Sequence, residues 1–330
     1  MNKKYLIVYH LEDNDGCCSA AIFKYYLTKV LNVPEINISL FGATYPILDK
    51  VKANNFSDFS GYDSIIITDI SFNDFSAMEY LYETFGVGNF TWVDHHAPVI
   101  KTSIERKYDT KINGVRDSSK SAILNAYKYC FDPYDVKYTS GEAPIVLRYL
   151  SAWDSWSTSK ENLDFDRTRN INTGFTSESQ LSVDYWYKMM DILINSSNDS
   201  EGIIKLLESM EERGRKINEA NDKKCEELLK TSAMDGFIVD GNRKCVVLFT
   251  SGPTNSLMFK TVQGKYDNAV CFKSSSTGNI ILSMYNVIDN HTFHCGTYLH
   301  DKYGGGGHEG AAGATISMDT FINILKTKKI

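Results

Sequence analysis

The sequence predicts an α/β fold: a mainly parallel sheet flanked by helices in an N-terminal domain, then a linker helix, then a smaller mixed α/β C-terminal domain. Two observations carry this. Between Tyr5 and Val93, short apolar runs of strand length alternate with segments whose apolar residues recur at helical spacing. Such alternation buries a parallel sheet beneath helices on both faces. From about Met234 onward the helical spacing gives way to strand-like runs separated by glycine-containing turns.

The elements follow in order. Residues 5–9 (Tyr-Leu-Ile-Val-Tyr) form an apolar strand that ends at His10 and an acidic turn. From Cys17, the residues Ala20, Ala21, Phe23, Tyr26, Leu27 and Val30 keep a helical apolar face. Ser64 to Thr68 is a buried-type strand, Phe75 to Phe85 a helix, and Phe90 to Val93 a third strand. Two more helices are predicted, Ser119 to Phe131 and Ala143 to Ala152, the second running into Trp153-Asp154-Ser155-Trp156. Asn195 to Ser200 is polar enough for a loop, and residues 202–231 are helical and rich in Glu and Lys. Domains are therefore expected at 1–200 and 234–330, with a linker helix at 201–233. Strand-like runs in the second domain are Cys245 to Phe249, Ala269 to Phe272 and Asn279 to Met284.

Composition narrows the function classes. A chain of 330 residues with 42% hydrophobic and 23% charged residues has material for two buried cores. The net charge is −6, and the densest basic stretch is Lys326-Thr327-Lys328-Lys329. Proteins that hold long nucleic acids release counterions with a basic stripe, so binding of a long duplex is not expected. Bound cations can supply positive charge locally for a small phosphorylated ligand. Seven cysteines without C-x-x-C spacing, a short apolar run after Met1-Asn2-Lys3-Lys4 and no membrane-length segment lead to the expectation of a reduced, cytoplasmic protein with no membrane partner.

In parallel sheets ligands sit beyond the carboxyl ends of the strands. The residues that follow each predicted strand are His10 with Asp13 and Asp15, then Asp69, then Asp94-His95-His96. Each alone has an ordinary structural explanation, such as a turn, a helix cap or a buried hydrogen bond. At one rim they form a carboxylate–imidazole set suited to hard divalent cations and to phosphoryl chemistry. Asp154, between two tryptophans, joins the candidates.

The Asp94-His95-His96 triplet after a strand resembles the signature of the DHH phosphoesterases, a superfamily that includes RecJ exonuclease, nanoRNases, cyclic-dinucleotide phosphodiesterases and family II pyrophosphatases. Asp13-Asn14-Asp15-Gly16 is similar to its first motif, Asp69 to its second and Asp154 to its fourth. Gly304-Gly305-Gly306-Gly307-His308-Glu309-Gly310-Ala311-Ala312-Gly313 looks like the GGGGH…AAG signature of the DHH-associated domain. The resemblance implies two divalent ions, expected to be Mn²⁺. His10 and Asp13 would hold one, Asp15, His95 and Asp154 the other, with Asp69 between them. Asp94 would orient a histidine, His96 would face the substrate phosphate, and Gly304, Gly305, Gly306, Gly307 and His308 would bind substrate. Two departures stand out. His10 precedes Asp13 by three residues where many members have His-x-x-x-Asp-x-Asp, and Tyr285 in Ser283-Met284-Tyr285-Asn286 takes the place of a frequent arginine.

The layout is closest to compact nanoRNase-type members, so the expected activity is hydrolysis of short oligoribonucleotides or a related small nucleotide phosphodiester to mononucleotides. A RecJ-like single-strand exonuclease and a cyclic-dinucleotide phosphodiesterase are the alternatives within the class, and a catalytically silent nucleotide-binding scaffold is the alternative outside it. The expected partner is a short oligonucleotide or small nucleotide; a homodimer is compatible with this reading.

Overall fold

Strands β1 (Tyr5–His10), β2 (Ile38–Ala43), β3 (Ser64–Thr68) and β4 (Phe90–Val93) form a sheet of order β2-β1-β3-β4 in which every pairing is parallel. The structure, a computed structural model, describes residues 3–131, 143–252, 254–275, 278–287, 293–307 and 309–330. Alternate side chains of the strands enter two different cores. Ile7, Ile66 and Val93 pack on one face with Ile22 and Phe23 of α1 (Asn14–Tyr25). Leu6, Val8, Ile65, Ile67, Phe90 and Trp92 pack on the other. This double burial explains why the strands are nearly continuous apolar runs.

Helices α2 (Tyr45–Ala53), α3 (Ser76–Phe85) and α4 (Ala97–Glu105) cover the second face. The first face takes α1, α5 (Ala122–Phe131), α6 (Ile145–Asp154), α7 (Phe165–Ser179), α8 (Val183–Asn195) and the start of α9 (Glu201–Ser232). Where α7 crosses α9 the backbones touch. A Cβ on Gly174 would lie 2.0 Å from the Met210 carbonyl oxygen, and one on Gly214 would lie 1.8 Å from that of Asn170.

The chain divides into two compact units, Met1–Asn218 and Glu219–Ile330. The second is built on a mixed sheet of order β5-β6-β7-β8-β10-β9, comprising β5 (Ala233–Val239), β6 (Arg243–Phe249), β7 (Asn268–Ser274), β8 (Ile280–Asn286), β9 (Gly306–Gly307) and β10 (Ala311–Ile316). Only β6 and β7 pair in parallel. Helices α10 (Cys295–Tyr303) and α11 (Met318–Thr327) contribute Leu299 and Ile324 to the core on one face. All seven cysteines are free, and no described helix is long and apolar enough to cross a membrane.

Candidate metal centre

Because the four strands of the first sheet are parallel, their carboxyl ends lie at one edge, and the sequence-predicted residues meet there. His10 closes β1, with Nδ1 2.8 Å from Asp13 Oδ2 and 3.7 Å from Asp69 Oδ2. Asp13 is also the N-cap of α1, its other oxygen accepting a hydrogen bond from the Gly16 N–H at 2.9 Å. Gly16 is required here: a Cβ would stand 1.9 Å from the His10 carbonyl oxygen. The start of α1 thus rests on the end of β1, which holds Asp13 and Asp15 at the rim.

Asp15 reaches across to α5, where its two oxygens accept the Ala122 and Ile123 N–H groups, each at 2.8 Å. A carboxylate at a helix N-terminus meets both the free donors and the positive end of the dipole. That explains why α5 begins at Ala122 rather than at Ser119; Ser119 instead donates its N–H to the Asp117 side chain at 2.9 Å. Asp69 follows β3 with φ of +58°, a left-handed conformation that aspartate tolerates better than most residues. Asp154 is the last residue of α6. His95 Nε2 sits among three carboxylates, 3.2 Å from Asp69 Oδ1, 3.4 Å from Asp154 Oδ2 and 3.5 Å from Asp15 Oδ2.

Asp94 lies behind this cluster, fully buried. Its Oδ1 accepts the backbone N–H groups of His95 and His96 at 2.7 and 3.1 Å and lies 2.7 Å from His96 Nδ1. Its Oδ2 accepts the Trp92 indole N–H at 3.0 Å. Burial opposes the charge on Asp94, yet His96 holds the carboxyl below its usual range. With Nδ1 engaged, His96 keeps Nε2 for another partner.

Two groups of ligand atoms, each within a 4.8 Å span, emerge: His10, Asp13 and Asp69; and Asp15, His95 and Asp154. Asp69 also groups with His95 and His96, so it adjoins both sets. The electrostatics are those of carboxylates crowded together. Burial, and then Asp15 and Asp13, push the Asp69 carboxyl well above its ordinary value. Burial and Asp15 do the same to Asp154. Burial works against a charged His10, but Asp13 and Asp69 raise it to about 10. Among the described residues, the buried Oδ2 atoms of Asp69 and Asp154 have no partner of hydrogen-bond geometry, although unmet buried acceptors are costly. Unmet oxygens on facing carboxylates, mixed with imidazole, fit the binding of divalent metal.

The glycine segment has a different character. Gly304 caps α10 with φ of +66°, while a Cβ on Gly305 would stand 2.3 Å from the Gly313 oxygen and one on Gly307 2.5 Å from Ala312 Cα, leaving no room for a side chain. Gly306 alone of the four opens onto free space without a turn requirement. Packing therefore accounts for Gly305 and Gly307 and the left-handed cap for Gly304, and His308 lies outside the described residues. Tyr285 is turned inward, its hydroxyl 2.8 Å from Thr254 Oγ1. His294 caps α10, its Nδ1 accepting the Thr297 N–H at 3.1 Å.

Sequence reading missed Trp92, Asn125 and Trp153. Asn125 donates to the Asp94 and Asp117 carbonyl oxygens at 3.1 and 3.0 Å, tying α5 to the end of β4. Trp92 was findable, since it shares a strand face with Asp94 two residues on; Asn125 gave no signal. Trp153 helps line a cavity of about 130 Å³ together with Asp13, Asp15, Asp154, Asn172 and Thr176.

No family model matches the chain, and no curated protein does. Solved structures do. A DHH domain of a member of the s1p family of ribosomal proteins aligns over 99% of this chain and 86% of its own length, with TM-score 0.60 and 12% identity. The exonuclease RecJ bound to manganese aligns over 99% and 89%, with TM-score 0.51 and 12% identity. A pGpG-specific phosphodiesterase, PggH from Vibrio cholerae, aligns over 98% and 97%, with TM-score 0.50 and 15% identity.

Proposed function

We propose that this chain, which has the fold of the DHH phosphoesterases, is a metal-dependent phosphodiesterase acting on short nucleotide phosphodiesters. The observation that carries the reading is the paired ligand groups, His10/Asp13/Asp69 and Asp15/His95/Asp154, converging on one sheet edge with unmet oxygens on Asp69 and Asp154. Support comes from two structures of the same fold, one a manganese-bound exonuclease and the other a phosphodiesterase for a dinucleotide.

Bound at these residues, two divalent ions would polarise the phosphoryl oxygens and lower the pKa of water towards neutrality. The chain's own groups do the rest. Asp94 fixes the orientation of the His96 ring through Nδ1, leaving Nε2 to meet a phosphate oxygen. Asp15, pinned by the N-terminus of α5, and Asp13, pinned as the cap of α1, hold their oxygens at fixed places. Preorganised ligands need no rearrangement when substrate arrives. In the second unit, Gly306 is exposed with nothing where a side chain would stand, so its backbone is accessible to an anion.

Chromatography of products from a panel tests the proposal: two- to five-residue RNAs and DNAs, cyclic dinucleotides and pyrophosphate, each with Mn²⁺ and with excess chelator. Chelator-sensitive release of mononucleotides from the linear short substrates is expected. Absence of cleavage across every phosphodiester, or cleavage of pyrophosphate alone, would refute it.

A further inference from the structure

Immediately beyond Asp154 the chain makes an unusual choice of residue. Helix α6 ends in a Schellman turn, in which the Ser157 N–H bonds the Ala152 oxygen at 2.9 Å and the Trp156 N–H bonds the Trp153 oxygen at 3.3 Å. The residue at the left-handed position of this turn is usually glycine. Here it is Trp156, with φ of +51°. A bulky side chain is strained in that region, and strain of this kind concentrates at functional sites. Trp156 is also 59% exposed, so its indole is not held there by burial.

What surrounds it is aromatic. The Trp153 and Trp156 ring centroids lie 5.5 Å apart with planes 32° from parallel. Phe165, from the start of α7, lies 6.1 Å from Trp156 at 30° and 5.8 Å from Trp153 at 45°. Trp153 at the same time lines the small cavity shared with Asp13, Asp15 and Asp154. An exposed indole packed on Trp153 and Phe165 therefore continues from the wall of the carboxylate cluster out to solvent. An indole held in this way offers a π-face to any flat ring delivered beside the cluster, and nucleobases stack on such faces irrespective of sequence.

We infer that Trp156, backed by Trp153 and Phe165, is a stacking platform for the nucleobase attached to the phosphate that binds at the carboxylate cluster. This rests on the proposed phosphodiesterase reading and deepens it, because it selects nucleotide substrates over base-free phosphates. The occupant is a nucleobase rather than a partner protein, since the platform is continuous with the cavity at the cluster.

The test compares two ligands that differ only in the base, adenosine 5′-monophosphate and ribose 5-phosphate, by calorimetry on the full chain loaded with Mn²⁺. Wild type should bind the nucleotide about tenfold more tightly or better. In Trp156→Gly the ratio should fall to about one, and in Trp156→Phe, which keeps a ring, it should stay within about threefold of wild type. The glycine variant suits the left-handed turn, so its fold is not at risk from the backbone. Equal affinities in wild type, a ratio retained in Trp156→Gly, or no binding of either ligand would overturn the platform. Turnover of a dinucleotide is measured alongside. Its absence with the ratio intact would refute the phosphodiesterase reading alone, and its presence with a ratio of one would refute the platform alone.

Discussion

At Asp94, buried and charged, one oxygen takes two backbone N–H groups and faces His96, while the other takes the Trp92 indole. An amide cannot accept on both sides, so in Asp94→Asn a donor must face a donor. Urea unfolding should show a loss on the order of 2 kcal/mol, and kcat on a dinucleotide should drop about 10–100-fold, the usual effect of removing a group that orients a metal-site histidine. Asp69 predicts the opposite division. Burial and its acidic neighbours already hold its carboxyl towards the neutral form in the metal-free protein, so Asp69→Asn is close to isosteric with what is there. The unfolding midpoint of the metal-free variant should match or exceed that of wild type. Mn²⁺ at a hundred times its dissociation constant should stabilise wild type by about 2.7 kcal/mol per site and the variant far less; a metal-free variant that unfolds much earlier would contradict this. His10, Asp13, Asp15, Asp69 and Asp94-His95-His96 were legible in the sequence because each set follows an apolar strand, whereas Asp154 ends helix α6 and stood out only by its place between two tryptophans. Trp156 was not, since a strained left-handed tryptophan is a property of backbone geometry that no residue pattern announces.

The crossing of α7 and α9 shows what the elements demand of the sequence. At Gly174 and Gly214 an added methyl meets backbone carbonyl oxygens, which cannot rotate away. Gly174→Ala or Gly214→Ala should therefore cost about 1–3 kcal/mol or more in urea unfolding. Gly202→Ala, in the first turn of α9 with nothing within 4 Å of the new methyl, should instead stabilise by about 0.5–1 kcal/mol. Equal effects at the three sites would contradict the close crossing. Legibility at this scale follows burial. Strands β1, β3 and β4 read clearly because both their faces are covered. Strand β2 did not, since Ile38-Ser39-Leu40-Phe41-Gly42-Ala43 is a half-buried edge strand interrupted by a serine and a glycine. Helix α7 was hidden by its polar run Asp166-Arg167-Thr168-Arg169-Asn170, although it buries Thr168, Arg169, Ile171, Gly174 and Phe175.

The chain carries a net charge of −6 and its sequence has no long basic run, which sets an expectation for substrate length. Each added phosphate contact needs a Lys or Arg to release counterions, so kcat/KM should peak on two- to five-residue RNAs and show only a weak salt dependence. Efficiency that keeps rising beyond about ten nucleotides with a steep salt slope would point instead to a processive single-strand nuclease. The central claim, that the carboxylate–histidine rim works by holding divalent cations for phosphodiester hydrolysis, has a more direct test. The full chain is stripped of metal, and dinucleotide turnover is followed as Mn²⁺ is restored, with bound metal counted by mass spectrometry. Turnover should be undetectable without the ion, return as bound manganese approaches two per chain, and stay absent in Asp69→Ala despite a retained fold. Full turnover by the stripped protein in excess chelator, or by Asp69→Ala, would contradict the account.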